Sequence, residues 1–303
     1  MTVFGLLAAF GGGIFGAALG GLAAFTFVGF LVMIGVAVQI SMAPAEIAFY
    51  GLPFGMFGPH VGGFASGVAA AAYAASRGKL ASGRDIVSGL MGLNRPDVLL
   101  VGGVFAIFGY VVQYYLAQVP NFGPGIVWTD TVALTVVISG FVARLLFGKT
   151  GLIGKAEEGR AFYSPTDGIK WVAFQSGFGQ LLLIGVGVGL MAGYLGVTFG
   201  GAGVFLAFGI AAASIMFLQL GILVPVTHHI ALPSAIVAAS SGSIVWAGIA
   251  GILCAFTGEF FARTFQAHGD THVDPPACAI ATTTLLFNFL TSVGFWTALH
   301  IPY

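Results

Sequence analysis

All ten Lys and Arg residues of this 303-residue chain fall on one side of a single map of apolar crossings, and this decides the fold class before any motif is considered. Lys and Arg collect in the cytoplasmic connections of membrane proteins, so a one-sided distribution is the mark of a chain threaded repeatedly through a bilayer. Composition agrees. With 58% hydrophobic residues, 7% charged residues and a mean hydropathy of +1.02, too few polar groups remain to cover a soluble globule.

Apolar runs of roughly 20 residues, enough to cross about 30 Å of hydrocarbon, recur along the chain. They predict an all-α integral membrane protein with about ten transmembrane helices, near residues 4–21, 23–41, 58–76, 97–118, 130–148, 171–196, 202–221, 227–240, 243–265 and 276–299. The polar connections 77–96, 149–170 and 263–275 then share one compartment. They carry Arg77, Lys79, Arg84, Arg95, Lys149, Lys155, Arg160, Lys170 and Arg263, with Arg144 at the same-side end of its helix, while loops 117–129 and 240–243 carry none. The basic side is expected to be cytoplasmic and both termini outside, in a prokaryotic plasma (inner) membrane. No basic residue precedes Arg77, which argues against a cleavable signal peptide. Cys254 and Cys278 lie in apolar segments with no metal or disulfide spacing and read as small packing residues. Zero net charge and the lack of a basic patch interleaved with aromatics argue against a nucleic-acid partner.

Laid over each other, the two halves of the chain resemble one another. Gly12, Gly16 and Gly20 match Gly185, Gly189 and Gly193, each set a small-residue stripe that lets helix backbones approach closely. Gln39 matches Gln219, and His60 matches His229. Asp130-Thr131 with Leu145-Leu146-Phe147 aligns without a gap on Asp270-Thr271 with Leu285-Leu286-Phe287. Five crossings per half is an odd number, so the second half enters the membrane inverted relative to the first. The expected organisation is a first repeat over 1–148, a cytoplasmic linker over 149–170 and an inverted repeat over 171–303, within one membrane domain. The glycine stripes also suit contacts between protomers, and a homo-oligomer is expected. In plan alone this arrangement is similar to urea and ammonium facilitators; no motif carries their residues across, and fold does not give substrate.

The third crossing of each half is the informative one. Pro225, Pro233 and the turn at 240–243 leave room for only a short helix in the second half, and Pro44, Pro53, Gly55, Gly58 and Pro59 break its counterpart. Broken helices at matching positions of inverted repeats mark a solute path near the midplane. Both breaks carry histidine, which donates, accepts and titrates near neutrality. The expected path is lined by His60, His228, His229, Pro59 and Thr227, with Gln39 and Gln219 beside it. Phe57 is a candidate constriction; Glu46, Glu259, Asp130 and Asp270 are candidate gating or coupling groups, although Glu259 four residues before Arg263 also suits a helical ion pair and both Asp residues suit N-caps. A membrane channel or facilitator for a small polar solute or ion, not an enzyme and without a cofactor, is the first expectation. The first alternative is an H⁺- or Na⁺-coupled transporter. The second is a membrane-embedded metal-dependent enzyme, because His268, Asp270, His272 and Asp274 alternate along an extended stretch and could bind a divalent metal.

Overall fold

The computed structural model describes residues 1–41, 49, 51 and 53–296. Among them the chain is helical, with two isolated bridges and no strand. Ten α-helices follow one another: α1 (Val3–Leu19), α2 (Gly21–Ile40), α3 (Ala65–Ser76), α4 (Pro96–Leu116), α5 (Thr131–Phe147), α6 (Phe178–Ala213), α7 (Met216–Gln219), α8 (His228–Ser241), α9 (Ile244–Phe261) and α10 (Pro275–Ser292). Four helical stretches are long and apolar enough to cross a membrane: Gly21–Ile40, Pro96–Leu116, Phe178–Gln219 and Ile244–Gln266. Phe4, Leu7, Leu183 and Leu223 are exposed, an outer surface suited to lipid and costly in water.

A straight α6 would be about 54 Å long, far more than a bilayer core needs. It does not run straight. Gly200 breaks it with φ +57 and ψ −132, and a β-carbon on Gly203 would fall 1.9 Å from the Leu195 carbonyl oxygen, so the two arms fold back on each other. Gly20, 180 residues earlier, is likewise the only residue between α1 and α2, at φ +91. Only glycine takes either conformation without strain.

These reversals put the two glycine stripes in a different register from the expected one. Gly13 packs on Gly102 and Ala106 of α4, and Gly193 on Ala247 of α9. Gly16 meets the Gly62 carbonyl just ahead of α3, and Gly196 meets Ala235 of α8. Each pair is 180 residues apart, as are Gln39 and Gln219, so the pairing of Gly12, Gly16 and Gly20 with Gly185, Gly189 and Gly193 is corrected by seven residues. The helices α2 and α6 pack directly: Gly29 abuts Ala213 and Gly209 abuts Met33, two contacts that exchange when 180 is added to the first number and subtracted from the second. This antiparallel register carries Gln39 and Gln219 to opposite ends of the pair.

On the Lys/Arg-bearing face the three connections are knitted together. Arg144, in the last turn of α5, is 1% exposed, yet its guanidinium donates to the carbonyls of Leu152, Phe265 and Thr271 and to the Thr271 hydroxyl. Arg84 reaches from the first connection to the Ile169 carbonyl (2.7 Å) and the Ala267 carbonyl (3.2 Å), and burial pulls its guanidinium down from its usual range. Asp270 accepts from the Lys149 N–H (2.6 Å) and the Thr150 hydroxyl (2.8 Å), and Arg263 donates to the Tyr163 carbonyl. A buried guanidinium is tolerable only when its N–H groups are met in this way.

The glycine contacts separate two substitutions of identical chemistry. Gly16→Ala would place a β-carbon 1.7 Å from the Gly62 carbonyl oxygen, whereas Gly11→Ala meets nothing within 4 Å. In detergent-solubilised protein Gly16→Ala is expected to lower the thermal midpoint sharply. Gly11→Ala is expected to leave it unchanged or raise it slightly, since Ala is favoured over Gly in a helix by up to about 1 kcal/mol.

Candidate functional site

Besides the four-residue α7, two of the ten helices are short because the chain ahead of them is not helical. Residues 53–64 form successive turns, closed by bonds such as Gly63 N–H to the Gly58 carbonyl (2.8 Å) and Ala65 N–H to the Pro59 carbonyl (2.9 Å), and α3 then has 12 residues. Ahead of α8, which has 14 residues, the chain is held by a side chain doing a strand's work. The buried Gln175 amide donates to the Val226 carbonyl (3.0 Å) and accepts from the Val226 N–H (2.8 Å), fixing the entry to Thr227 and His228.

The last helix of each half begins at an aspartate. Asp130 caps α5 by accepting from Ala133 N–H (2.8 Å), and Asp274 caps α10 by accepting from Ala277 N–H (2.8 Å). Asp270, the sequence match of Asp130, is therefore not a cap; the cap lies four residues later, and Asp270 is spent on residues 149 and 150. The start of α5 is tied to the middle of α10, with the Thr129 hydroxyl donating to the Ala281 carbonyl (2.6 Å) and Asp130 N–H to the Thr284 hydroxyl (3.0 Å). Gln113 of α4 supports it from the other side, donating to the Thr131 hydroxyl and accepting from the Thr135 hydroxyl.

Between these elements lies a cavity of about 760 Å³. Its lining runs from the basic-face connections, at Arg84, Asp85 and Lys170, to Asp130 at the start of α5. Side chains of α2, α5, α6, α8 and α10 all reach it. The walls are mainly aromatic and aliphatic. Phe25 stands at the centre of a ring of contacts, 4.7 Å from the His228 ring, 5.7 Å from Phe64 and 6.1 Å from Phe208, and Phe64 is in turn 5.7 Å from His272.

His272 has a defined tautomer. The Gln266 side-chain oxygen accepts from Val273 N–H (3.0 Å), so its amide nitrogen faces His272 Nδ1 (2.9 Å) and donates to it. Nδ1 is thus the acceptor, and Nε2–H donates to Asp274 Oδ1 (3.1 Å). Gln266, His272 and Asp274 all line the cavity.

The expected site residues divide accordingly. Pro59, His228, Asp130, His272 and Asp274 line the cavity, and so do Phe54 and Phe64. Thr227, His229 and His60 are buried beside it without lining it: the His229 ring packs against Gly258 and Trp171, and the His60 ring against Gly58. Phe57 packs on Phe15, and Glu259 pairs with Arg263 (2.7 Å). Gln39 and Gln219 stand apart from the cavity, each with a buried polar atom lacking a partner. Glu46 lies outside the described residues. The alternating His and Asp side chains of 268–274 do not converge, because the segment turns around the Arg144 guanidinium: His268 bonds to the Phe162 carbonyl, Asp270 to residues 149 and 150, and only His272 and Asp274 meet. Among the described residues no group of three or more His, Cys, Asp or Glu is placed to hold a metal ion.

Fold and site together define an all-helical chain with helices of membrane-crossing length around an internal cavity walled by aromatic rings and edged by histidine and aspartate. The chain belongs to a family of unknown function, DUF7973, whose model matches it twice, over residues 1–170 and 164–302. No curated protein and no solved structure matches it.

Sequence reasoning passed over Gln175, Gln266 and Gln113, since a glutamine in an apolar run carries no motif. The available signal was rarity: ionisable and amide side chains inside apolar segments are costly and need partners. With Cys254 and Cys278 replaced by Ala, Leu232→Cys in the cavity wall is expected to react with a small charged thiol reagent. Ala106→Cys, in a separate buried cluster, is expected to stay protected; equal protection of both would mean the cavity is closed to water.

Proposed function

We propose that this protein is a membrane channel or facilitator that passes a small polar solute through the cavity between two inverted five-helix halves, 1–148 and 171–303, joined by the linker 149–170. The carrying observation is the cavity itself, lined by Asp130 of the first half and by His228 and Asp274 of the second among phenylalanine side chains from both. The repeat reading is supported by the positive-φ glycines at 20 and 200, by the exchanged Gly29 and Gly209 contacts, and by a family model that matches the two parts separately. It is supported again by helix neighbours: α4 packs on α1 as α9 packs on α6, and α3 lies against α4 and α5 as α8 lies against α9 and α10. In this reading the basic face is cytoplasmic and both termini are outside. In the same reading the irregular backbone ahead of the short α3 and α8 lies at membrane depth, where it is tolerated only against protein or a cavity. His228 is the first side chain of α8, lines the cavity, is 6% exposed, and has a buried Nδ1 without a partner.

A second reading, an H⁺- or Na⁺-coupled transporter, is favoured by one observation: both N-cap carboxylates, Asp130 and Asp274, line the same cavity. Flux into proteoliposomes across neutral solutes, anions and cations, with and without imposed H⁺ and Na⁺ gradients, separates the two. Wild type is expected to pass at least one class down its own gradient. His228→Ala, correctly folded, is expected to lower or re-tune that flux about tenfold, the value of one good hydrogen bond of about 1.4 kcal/mol. Dependence on an ion gradient would select the second reading, and wild-type silence throughout would overturn both.

A further inference from the structure

The polar groups of the cavity are sorted by charge, and the sorting names a ligand class; the inference rests on the cavity being a solute site, as proposed above. The charged groups among the basic-face connections are already engaged. Arg84 donates to two carbonyls, Lys170 is held by Asp167 (2.7 Å), and Asp85 accepts from Val87 N–H, Ser88 N–H and the Ser88 hydroxyl. At the helix starts the situation differs. Asp274 accepts one bond on each oxygen, from His272 Nε2 and Ala277 N–H, which leaves each oxygen a further lone pair.

His228 is joined to the His272–Asp274 pair through Phe25 and Phe64, whose rings bridge the two imidazoles. This residue opens the 14-residue α8, whose preceding Thr227 makes no side-chain cap. Ile230 and Ala231 N–H bond to the Thr227 carbonyl, leaving the N–H groups of His228 and His229 ahead of the helix's own ladder. The helix start therefore presents donors and the positive end of its dipole. Independently of the helix, the buried His228 imidazole lines the cavity with its Nδ1 unpartnered. An acceptor with spare capacity and a set of unused donors thus edge one space, walled by Phe25, Phe64, Phe208 and Trp171.

A bare inorganic ion does not fill a space of about 760 Å³. A ligand with only a positive charge would face the uncapped start of α8, and one with only a negative charge would face Asp274. A molecule carrying both charges on an apolar body satisfies the start of α8, Asp274 and the aromatic walls at once. We propose that the cavity binds a zwitterionic organic solute of the apolar α-amino acid kind, its carboxylate at the start of α8 beside His228, its ammonium at Asp274, and its side chain among the phenylalanines.

The test is calorimetric titration of detergent-purified protein with three probes sharing one phenyl body: phenylalanine, phenethylamine and phenylpropionate. Trp171 fluorescence is read in parallel and checked against Trp171→Phe. Phenylalanine is expected to bind about tenfold or more tightly than either single-charge probe. Asp274→Asn keeps an N-capping side chain and so preserves the start of α10. It is expected to abolish the advantage of phenylalanine over phenylpropionate, by weakening phenylalanine while phenylpropionate, freed of the facing carboxylate, binds as well or more tightly. Binding of none of the three, an equal or stronger affinity for a single-charge probe, or an Asp274→Asn variant that keeps the full preference would each overturn the inference. Phenylalanine flux in proteoliposomes keeps the two claims apart. Selective binding without flux would sink the transport reading alone, and flux of other solutes without this selectivity would sink the zwitterion assignment alone.

Discussion

The buried guanidinium of Arg144 is the interaction on which the rest of the structure depends. Left unpaired in an apolar interior it would be strongly destabilising, and here it is met by three backbone carbonyls and a hydroxyl drawn from two separate connections. The consequence reaches the cavity. By holding Phe265 and Thr271, Arg144 fixes both ends of the turn from which Gln266, His272 and Asp274 face inward. Arg84 performs the same service between the first connection and residues 169 and 267. One face of the molecule is thereby a hydrogen-bonded plate, and the start of α10, which edges the cavity, is anchored to it.

Much of the fold was legible in the sequence, and for identifiable reasons. Apolar runs drew the helix map, the Lys and Arg residues, which must sit outside hydrocarbon, gave it sidedness, and Pro and Gly ahead of residues 65 and 228 marked the two short helices. The glycine register was readable but misread. A stripe spaced by four matches itself at several offsets, and the true one is set by Gly20 and Gly200, where the chain must reverse, rather than by the stripe. Asp270 was mistaken for a cap because the local match to Asp130 is good; the following Pro275 and Pro276, which suit a first helical turn, already pointed to Asp274.

The site was half legible. Of the histidines chosen at helix breaks, His228 lines the cavity, whereas His60 and His229 pack against glycines beside it. Periodicity cannot say which side of a short, fully buried helix faces a void. The alternation of His and Asp over 268–274 suggested a common direction, which a straight extended strand would have given. Wrapped around Arg144, the same residues spread to four different sets of partners, and only His272 and Asp274 remain together. The alternation coincided with the edge of the cavity at His272 and Asp274 without bringing the four side chains together.

In this account the protein conducts because two halves, each with a helix too short to span, leave between them a space that their N-terminal ends edge with polar groups. The measurement that tests this most directly is reversible blockade. Leu232→Cys in a chain lacking Cys254 and Cys278 is treated with a bulky disulfide-forming reagent, and solute flux is followed in proteoliposomes before treatment, after treatment and after reduction. The account predicts that flux stops on labelling and returns when the label is removed. Undiminished flux through fully labelled protein would contradict it, because the solute would then pass by a route other than this cavity.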